Sequence, residues 1–563
     1  MNSTTLWTRR LIKAMERAQP VVADPRSLGS LIPAQAIRQA LLHDPGKRDP
    51  LGLRVYGFEI EGYLGLDNIN VGVNLEFVGC RFDSDISIYG IQVPTLYFGS
   101  CELQALMGNA AKITGNFNVI DCVFNGLVTC LGVEVGGQFG FAHTRILAAE
   151  TPSEDKGVDE SARQPALTLD RTKVTGILLL NAVEAGGPVS CTAVEAGSIQ
   201  ATNMRISAAD SLALSFEGCV VSQGIALDGS NIVGQLSLNG LKADSAHLVS
   251  VTVTNAPSVA INLEHCQIRE NIYLMGAQCS GELSVNGTTV AQLRLEGSRL
   301  LNPEGAFALT AEHLRATAVL LRDMHVEGYC DFAAADVAHF MVDLDVPQQA
   351  SFAPVIDLIG ASFTEVSGYP MTGRVEAVAW LERRPQSQSK DFISQPWQKM
   401  AEVLDRHGRP EDARWLRWQA ARRSAQASRG IAWLSRNLYG LLAGHGYYAG
   451  RRALVSLIIL FVATFTVTVT SDAHFRPSGS DLRTSHPSIS GATACGDLDK
   501  AISCFNPALY ALETVFPTAG NVQTSAWSAE GTIRGVVFSF ARLMGWVLTA
   551  LLLAAVTGIL KKT

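Results

Sequence analysis

The chain has 563 residues, of which only 17% are charged, with 50 glycines and a formal net charge of −7. The negative balance excludes a general nucleic-acid binder, which needs lysine and arginine for phosphate contacts. So little charge with so much glycine points to a repeat-rich or membrane-associated chain rather than a disordered one.

At the N-terminus, Met1 to Val21 carries Arg9, Arg10, Lys13 and Arg17 without an apolar stretch long enough for a secretory signal, so the bulk of the protein is expected in the cytoplasm. The segment Ile32 to Leu42, IPAQAIRQALL, has helical spacing through Ile37, Leu41 and Leu42 after Pro33. Residues 1–50 are therefore predicted to form a helical cap that plugs one end of the next domain.

That domain, residues 51–365, repeats one pattern: apolar, any, apolar, any, any, small or apolar, any, apolar. Leu75, Phe77, Cys80 and Phe82 form a first copy; Leu96, Phe98, Cys101 and Leu103 a second; Phe117, Val119, Cys122 and Phe124 a third; Phe139, Phe141, Thr144 and Ile146 a fourth. Later copies start at Leu167, Leu214, Leu236, Ile261, Leu283 and Cys330, with half-units such as Ile86, Ile88, Ile91 and Val93 between the first ones. Two-residue alternation interrupted by Gly, Asn and Asp means short strands and frequent turns. A unit that cannot bury its inward face alone must stack on its neighbours. The prediction is a mainly β fold, a right-handed parallel β-helix solenoid of about twelve turns, roughly 60 Å long at the usual strand spacing. The polar insert Glu150 to Gln164 reads as a solvated loop. Nine of the eleven cysteines fall between Cys80 and Cys330 at repeated strand positions without any CxxC pair, so they read as small core residues.

Beyond residue 365 the pattern becomes helical. Trp397, Met400, Ala401 and Leu404 share a face, His407 to Pro410 makes a break, and Glu411 to Arg423 forms a second helix. Residues 366–450 are predicted to be a helical stalk. Two apolar runs follow, Ala453 to Thr470 and Leu543 to Leu560, each about 27 Å as a helix and so just long enough to cross a bilayer core. Ten arginines and no lysine lie between Arg406 and Arg452, and Lys561 and Lys562 close the chain. The positive-inside rule then makes residues 451–563 a transmembrane hairpin in a bacterial inner membrane, with both ends cytoplasmic and residues 471–532 outside. Membrane lipid is one expected partner.

Within the hairpin, Ala550, Ala554 and Gly558 form a small-residue face suited to helix contact. Arg542 could snorkel to headgroups or pair with Glu513. Cys495 and Cys504, both in the external segment, are expected to form a disulfide.

The LEFVGCRF-type repeats, the segment QPWQKMAEVLDRHGRPEDARWL, the GHGYYAGRRA before the first apolar run and the ALYALETVFP before the second together resemble a group of bacterial, actinobacterial-type proteins. These combine pentapeptide-like β-helix repeats with a C-terminal two-helix membrane hairpin and are often labelled membrane-associated oxidoreductases. The resemblance covers nearly the whole chain and implies the same architecture, but no catalytic residues to carry over.

The label calls for a cofactor motif. Gly444, Gly446 and Gly450 have one residue too many for GxGxxG, Gly46 and Lys47 are followed by Arg, and neither HExxH nor GxSxG occurs. No cofactor, metal ligand or catalytic residue is assigned. Polysaccharide cleavage would need clustered carboxylates, and Asp85, Asp121, Asp170 and Asp228 are dispersed. The reading preferred is a membrane-anchored scaffold whose solenoid binds a protein partner or a second copy. The alternative is an oligomeric pore, because Pro507 to Phe516 followed by Pro517, Thr518, Ala519 and Gly520 places a short apolar segment between two spans, an order shared with two-span cation channels. The carbonyl-lined filter sequence of those channels is absent, and an amphipathic surface helix is the blander reading of the segment. The cysteine pair has a direct test: in membranes labelled from the external side, Cys495 and Cys504 should react with maleimide only after reduction, and labelling of both without reductant would exclude the bond.

Overall fold

The structure is a computed structural model that describes residues 3–23, 31–43, 46, 48–147, 164–302, 306–343, 355–382, 392–478, 490–491, 503–516 and 518–557. The chain forms two compact units, residues 1–388 and 389–563.

The first unit is a parallel β-solenoid of about 13 turns. Val93, Leu96, Phe98, Cys101, Leu103 and Leu106 are buried in succession, alternately three and two residues apart. The working step is thus five residues, and each step builds one short strand and turns the chain onto the next side. Strands Leu75–Val78, Arg81–Phe82, Ile86–Ser87 and Gln92–Val93 make one coil. The first and last join one sheet and the middle two join the other. Like residues stack between coils: Leu96 pairs with Leu75 and Phe117, and Phe117 with Phe139. The Phe77 and Phe98 rings stack at 5.4 Å and those of Phe117 and Phe139 at 4.8 Å.

The pattern copies on either side of Thr144 belong to two ladders rather than one series. Phe139 pairs with Leu178, whereas Leu167 pairs with Val128 and Val189. Leu214, Leu236, Ile261 and Leu283 continue from Val189, so they extend the ladder of the half-unit that begins at Ile86. Both halves of a coil obey the same five-residue rule, and after the extra residues that follow Leu147 the strongest copies fall on the other half. Most of the polar insert, residues 150–163, lies outside the described residues.

Each half-coil turns through one residue in the left-handed region. Ser100, Ala110, Asp121, Gly132 and His143 have φ of 50, 56, 55, 61 and 52°, and their spacing is the ten-to-eleven-residue period of the sequence. A side chain in that region costs about 1–2 kcal/mol, so glycine is favoured but not demanded. Near the corners, Asp or Asn side chains accept the amide of the next coil: Tyr89 N to Asp67 Oδ1 at 3.1 Å, Leu131 N to Asn109 Oδ1 at 2.9 Å, Thr192 N to Asp170 Oδ1 at 2.8 Å. The cysteines bond in the same inter-coil sense. Cys80, Cys101 and Cys122 donate to the carbonyls of Val55, Phe77 and Phe98 at 3.4, 3.4 and 3.5 Å, and Thr144 takes their place in the next coil with a bond to Val119 O at 3.2 Å. Outward ladders alternate in sign, with Arg81 to Glu102, Lys112 to Glu134, Lys173 to Glu195 and Arg145 to Glu184 paired on exposed faces. Such pairs contribute at most about 1 kcal/mol each but oppose slippage.

From Arg205 a longer period is superposed. The register breaks at Ser207/Leu212 and again at Thr254/Val259, where residues 208–211 and 255–258 leave the ladder. The following coil passes beneath each excursion at a glycine. A Cβ on Gly234 would lie 2.3 Å from Ala208 O, one on Gly281 2.6 Å from Ser258 O, and one on Gly328 2.8 Å from Ala306 O. These glycines recur at intervals of 47 residues with φ of 115, 127 and 112°, so two coils, not one, form the repeating unit here.

Two helices precede the coils, α1 (Ser3–Glu16) and α2 (Ala34–Leu42). They pack on each other and on the first strands, burying Leu11, Met15, Ile37 and Leu41, with Trp7 edge-on to Phe58 at 5.4 Å. Helix α3 (Arg374–Glu382) ends the unit, with Trp380 against Phe363 and Phe340.

The second unit begins with α4 (Gln395–Arg406) and α5 (Pro410–Ala427), which pack as a hairpin around Trp397, Met400, Leu404 and Leu416. Then come α6 (Gly430–Ala443), α7 (Ala449–Thr470), α8 (Pro507–Val515), α9 (Val522–Ala526) and α10 (Thr532–Val556). Helices α7 and α10 are long and apolar enough to cross a membrane. Helix α10 starts ahead of the apolar run at Leu543 because Arg534 and Arg542 interrupt its hydrophobicity without breaking its hydrogen bonds.

The excursion glycines are testable. Gly234→Ala or Gly281→Ala should lower the thermal midpoint of the detergent-solubilised chain, followed by circular dichroism of the sheet, at a cost of about 1–3 kcal/mol each. Gly218→Ala, at an open left-handed corner (φ 63°) with nothing within 4 Å of its Cβ, should shift it far less. Equal shifts would refute the close approach.

Candidate functional site

Among the described residues of the coils, the aspartates singled out in the sequence lie apart from one another. Asp85 Oδ1 accepts Ala105 N at 3.1 Å, Asp228 Oδ1 accepts Val249 N at 2.8 Å, and Asp170 also accepts the Ser190 hydroxyl at 2.6 Å. Asp121 is a left-handed corner. These carboxylates close turns.

The register does bring together a pair not apparent in the sequence: Asp331 and Asp357 are partners in adjacent coils, 4% and 2% exposed. Burial first, then the Asp357 charge, holds the Asp331 carboxyl above the ordinary aspartate range, against the bond from Ala333 N. Each carboxylate accepts an amide two residues on, Ala333 N and Ile359 N, both at 2.8 Å. Among the described residues no group of three His, Cys, Asp or Glu could hold a metal ion.

The nine solenoid cysteines are buried free thiols. Burial pushes Cys130, Cys219, Cys266, Cys279 and Cys330 up to about 12. They stay protonated at neutral pH and are poor nucleophiles.

The polar construction that cannot be reduced to inter-coil bonding lies in the second unit, between α7 and α10. The chain leaves α7, forms a short strand Phe475–Pro477, and pairs it antiparallel with Trp527–Ala529 just before α10. Among the described residues, one excursion leaves that level. Asn506 caps α8, its Oδ1 accepting Ala508 N and Leu509 N at 3.0 and 3.1 Å, and Pro507 suits the first helical position. At its start, α8 sits in an aromatic cluster of Phe475, Phe505, Tyr510, Trp527 and Phe538, with the Phe475 and Phe505 rings 4.6 Å apart.

At its end, α8 reaches far inside the two long helices. Val515 packs between Leu457 of α7 and Leu548 of α10. A Cβ on Gly545 would lie 2.2 Å from Val515 O. Gly545 is about 20 Å along α10 from its first residue, and Leu457 about 20 Å back along α7 from its last. The chain then returns to its starting level. Gln523 closes the excursion by donating to Cys504 O at 2.9 Å and Ser503 Oγ at 3.2 Å while accepting Asn506 N at 3.1 Å, and Trp527 Nε1 donates to Ser503 O at 3.1 Å.

Glu513 braces this hairpin from within. Its carboxylate is 4% exposed, and Oε2 accepts Gln523 N and Thr524 N, both at 2.8 Å, and the Thr524 hydroxyl at 3.2 Å. A carboxylate at the free amides of α9 is charge-complementary. Arg542, the partner suggested by sequence, is exposed, and the carboxylate's bonds go to α9 instead. The cause is chain direction: the returning chain brings two backbone amides of α9 to Glu513, and no spacing rule in the sequence reports that.

The small-residue face is placed in part. Helix α10 buries Phe538, Ala541, Gly545 and Leu548, whereas Ala550 is exposed, Ala554 is partly covered, and Gly558 lies outside the described residues. The contact that needs a small residue is at Gly545, whose signal in the sequence was an isolated glycine in an apolar run. Cys504 is an exposed free thiol and Cys495 lies outside the described residues, so the structure does not show the disulfide expected from the sequence.

Removing the brace should be visible locally. Glu513→Ala leaves buried amides without an acceptor, at about 1–3 kcal/mol, and hydrogen exchange at Gln523 and Thr524 should accelerate while the solenoid amides stay protected; unchanged exchange at both would show that the carboxylate is not their partner. Compared with protein-family models, curated proteins and solved structures, the chain matches none.

Proposed function

We propose that this chain is one subunit of an oligomeric membrane pore, with α7 and α10 crossing a bacterial inner membrane, α8 as a re-entrant element, and the solenoid on the cytoplasmic side as a recognition domain. The observation that carries the reading is the excursion itself: it starts and ends at the level of Ser503, Cys504 and Gln523, and its tip at Val515 meets the middle of α10. A surface helix would have no reason to reach that depth. Irregular backbone is tolerated at membrane depth where protein or a water-filled cavity surrounds it, and an inserted segment between two spans is the order of two-span cation channels, although this chain lacks their carbonyl-lined filter sequence. One chain buries only 22% of the apolar window of either span, which leaves the exposed Ala550 region for other copies, and closed rings are the usual outcome of self-association.

The arginine bias before α7 supports the cytoplasmic placement of the solenoid. On this reading the coils are right-handed, the hand that parallel crossovers prefer. Helices α1 and α2 cap the open edge of the first coil, and α4 with α5 serve as the stalk. The excursions at 208–211 and 255–258, two coils apart on one edge, favour a protein partner for the solenoid.

Purified protein in liposomes should pass monovalent cations, with flux rising more steeply than linearly with protein density. No conductance in any oligomeric preparation would overturn the pore. A co-purifying protein lost on deleting residues 51–346 would then leave the scaffold reading.

A further inference from the structure

Helix α6 carries an unusual surface for its place in the chain. Ile431, Leu434, Leu438 and Leu441 are 86, 61, 51 and 62% exposed, and at 3.6 residues per turn they fall on one face. Arg429 and Arg436 fall on the opposite face, both exposed. Trp433 and Tyr439 are exposed too, at 48 and 38%. What α6 does cover lies at its C-terminal end and one edge: Ala443 is buried, Leu442 packs partly buried against the cluster of Leu457, Val515 and Leu548, and Asn437 Nδ2 donates to Trp433 O at 2.8 Å and reaches Ala425 O at 3.5 Å. Only residues 444–448 separate it from α7, and Arg451 and Arg452 at the start of α7 are exposed.

The charges single out one occupant. Arg409 and Arg417 pair with Asp412 and Asp405, whereas Arg429, Arg436, Arg451 and Arg452 have no carboxylate partner among the described residues. The sequence supplies none locally, because no Asp or Glu occurs between Asp412 and Asp472. A water-soluble protein partner for so apolar a face would leave four cations to find acids elsewhere. A bilayer surface offers acyl chains and anionic phosphates at adjacent depths. Apolar face, opposing arginines and interfacial aromatics are the composition of a helix lying in that layer.

We infer that α6 is an interfacial helix that lays Ile431, Leu434, Leu438 and Leu441 into the cytoplasmic leaflet and, with Arg429, Arg436, Arg451 and Arg452, binds anionic phospholipid headgroups. The inference rests on the membrane placement of α7 but not on conduction. Its consequence is regulatory: α6 joins the α4–α5 hairpin to the first span, so anionic lipid that orders α6 orders the connection through which any signal must reach α7.

The test uses the full chain with Cys495→Ser and Cys504→Ser, reconstituted in phosphatidylcholine with or without phosphatidylglycerol, carrying a nitroxide at a cysteine placed by Leu434→Cys, and separately by Arg436→Cys. In anionic membranes the label at position 434 should be relaxed several-fold more by oxygen than by a water-soluble nickel chelate, and the label at 436 should show the reverse. Replacing Arg429, Arg451 and Arg452 by Gln should lower the preference for spin-labelled phosphatidylglycerol over phosphatidylcholine several-fold. Equal access of nickel to 434 and 436 would overturn the inference by placing α6 in water. Exclusion of both oxygen and nickel from 434 would overturn it by placing protein, a second copy or a partner, on the face. A lipid preference unchanged in the arginine variants would overturn the headgroup assignment. A protein that passes no ions yet shows the depth pattern sinks the pore and leaves α6 as assigned.

Discussion

Every feature of the first unit answers to one constraint: a parallel coil must return its backbone to hydrogen-bonding distance over the coil before it, about 4.8 Å away, all the way round. Five-residue sides satisfy it because alternate burial at spacings of two and three lets each short strand end at a corner. The left-handed residues at Ala110, Asp121 and His143 are what it costs to turn the corners. The Asp and Asn acceptors and the Cys80, Cys101, Cys122 thiols satisfy main-chain groups that the corners remove from the ladders, which is why side chains that look chemically active serve the backbone instead.

The same constraint explains the longer period. A coil with extra residues can keep register only by pushing them out of the ladder, and the next coil must then leave room beneath. Gly234, Gly281 and Gly328 provide that room. An irregularity in one coil is therefore absorbed by its neighbour, and two coils become the unit that repeats.

In the second unit the governing problem is a return loop among apolar helices. Buried backbone amides there need acceptors, and Glu513 and Gln523 supply them for the excursion around α8. Gly545 allows its tip to approach. A buried carboxylate bound only to amides and a hydroxyl holds the loop closed without requiring a buried cation. Arg542 stays exposed.

The sequence by itself determined the solenoid, its ten-to-eleven-residue spacing, the α4–α5 hairpin and two apolar helices, because each is written in local periodicity or in the length of an apolar run. Only the tertiary structure decided that the copies at Leu167 and beyond run in the Ile86 ladder, since both halves of a coil carry the same pattern and their identity depends on pairing across more than twenty residues. It likewise decided that Glu513 faces the amides of α9, that Asp331 meets Asp357, and that Ile431, Leu434, Leu438 and Leu441 of α6 are left exposed while Leu442 is partly covered. In each case the partner is set by the path of a distant segment, and spacing along the chain holds no record of that path.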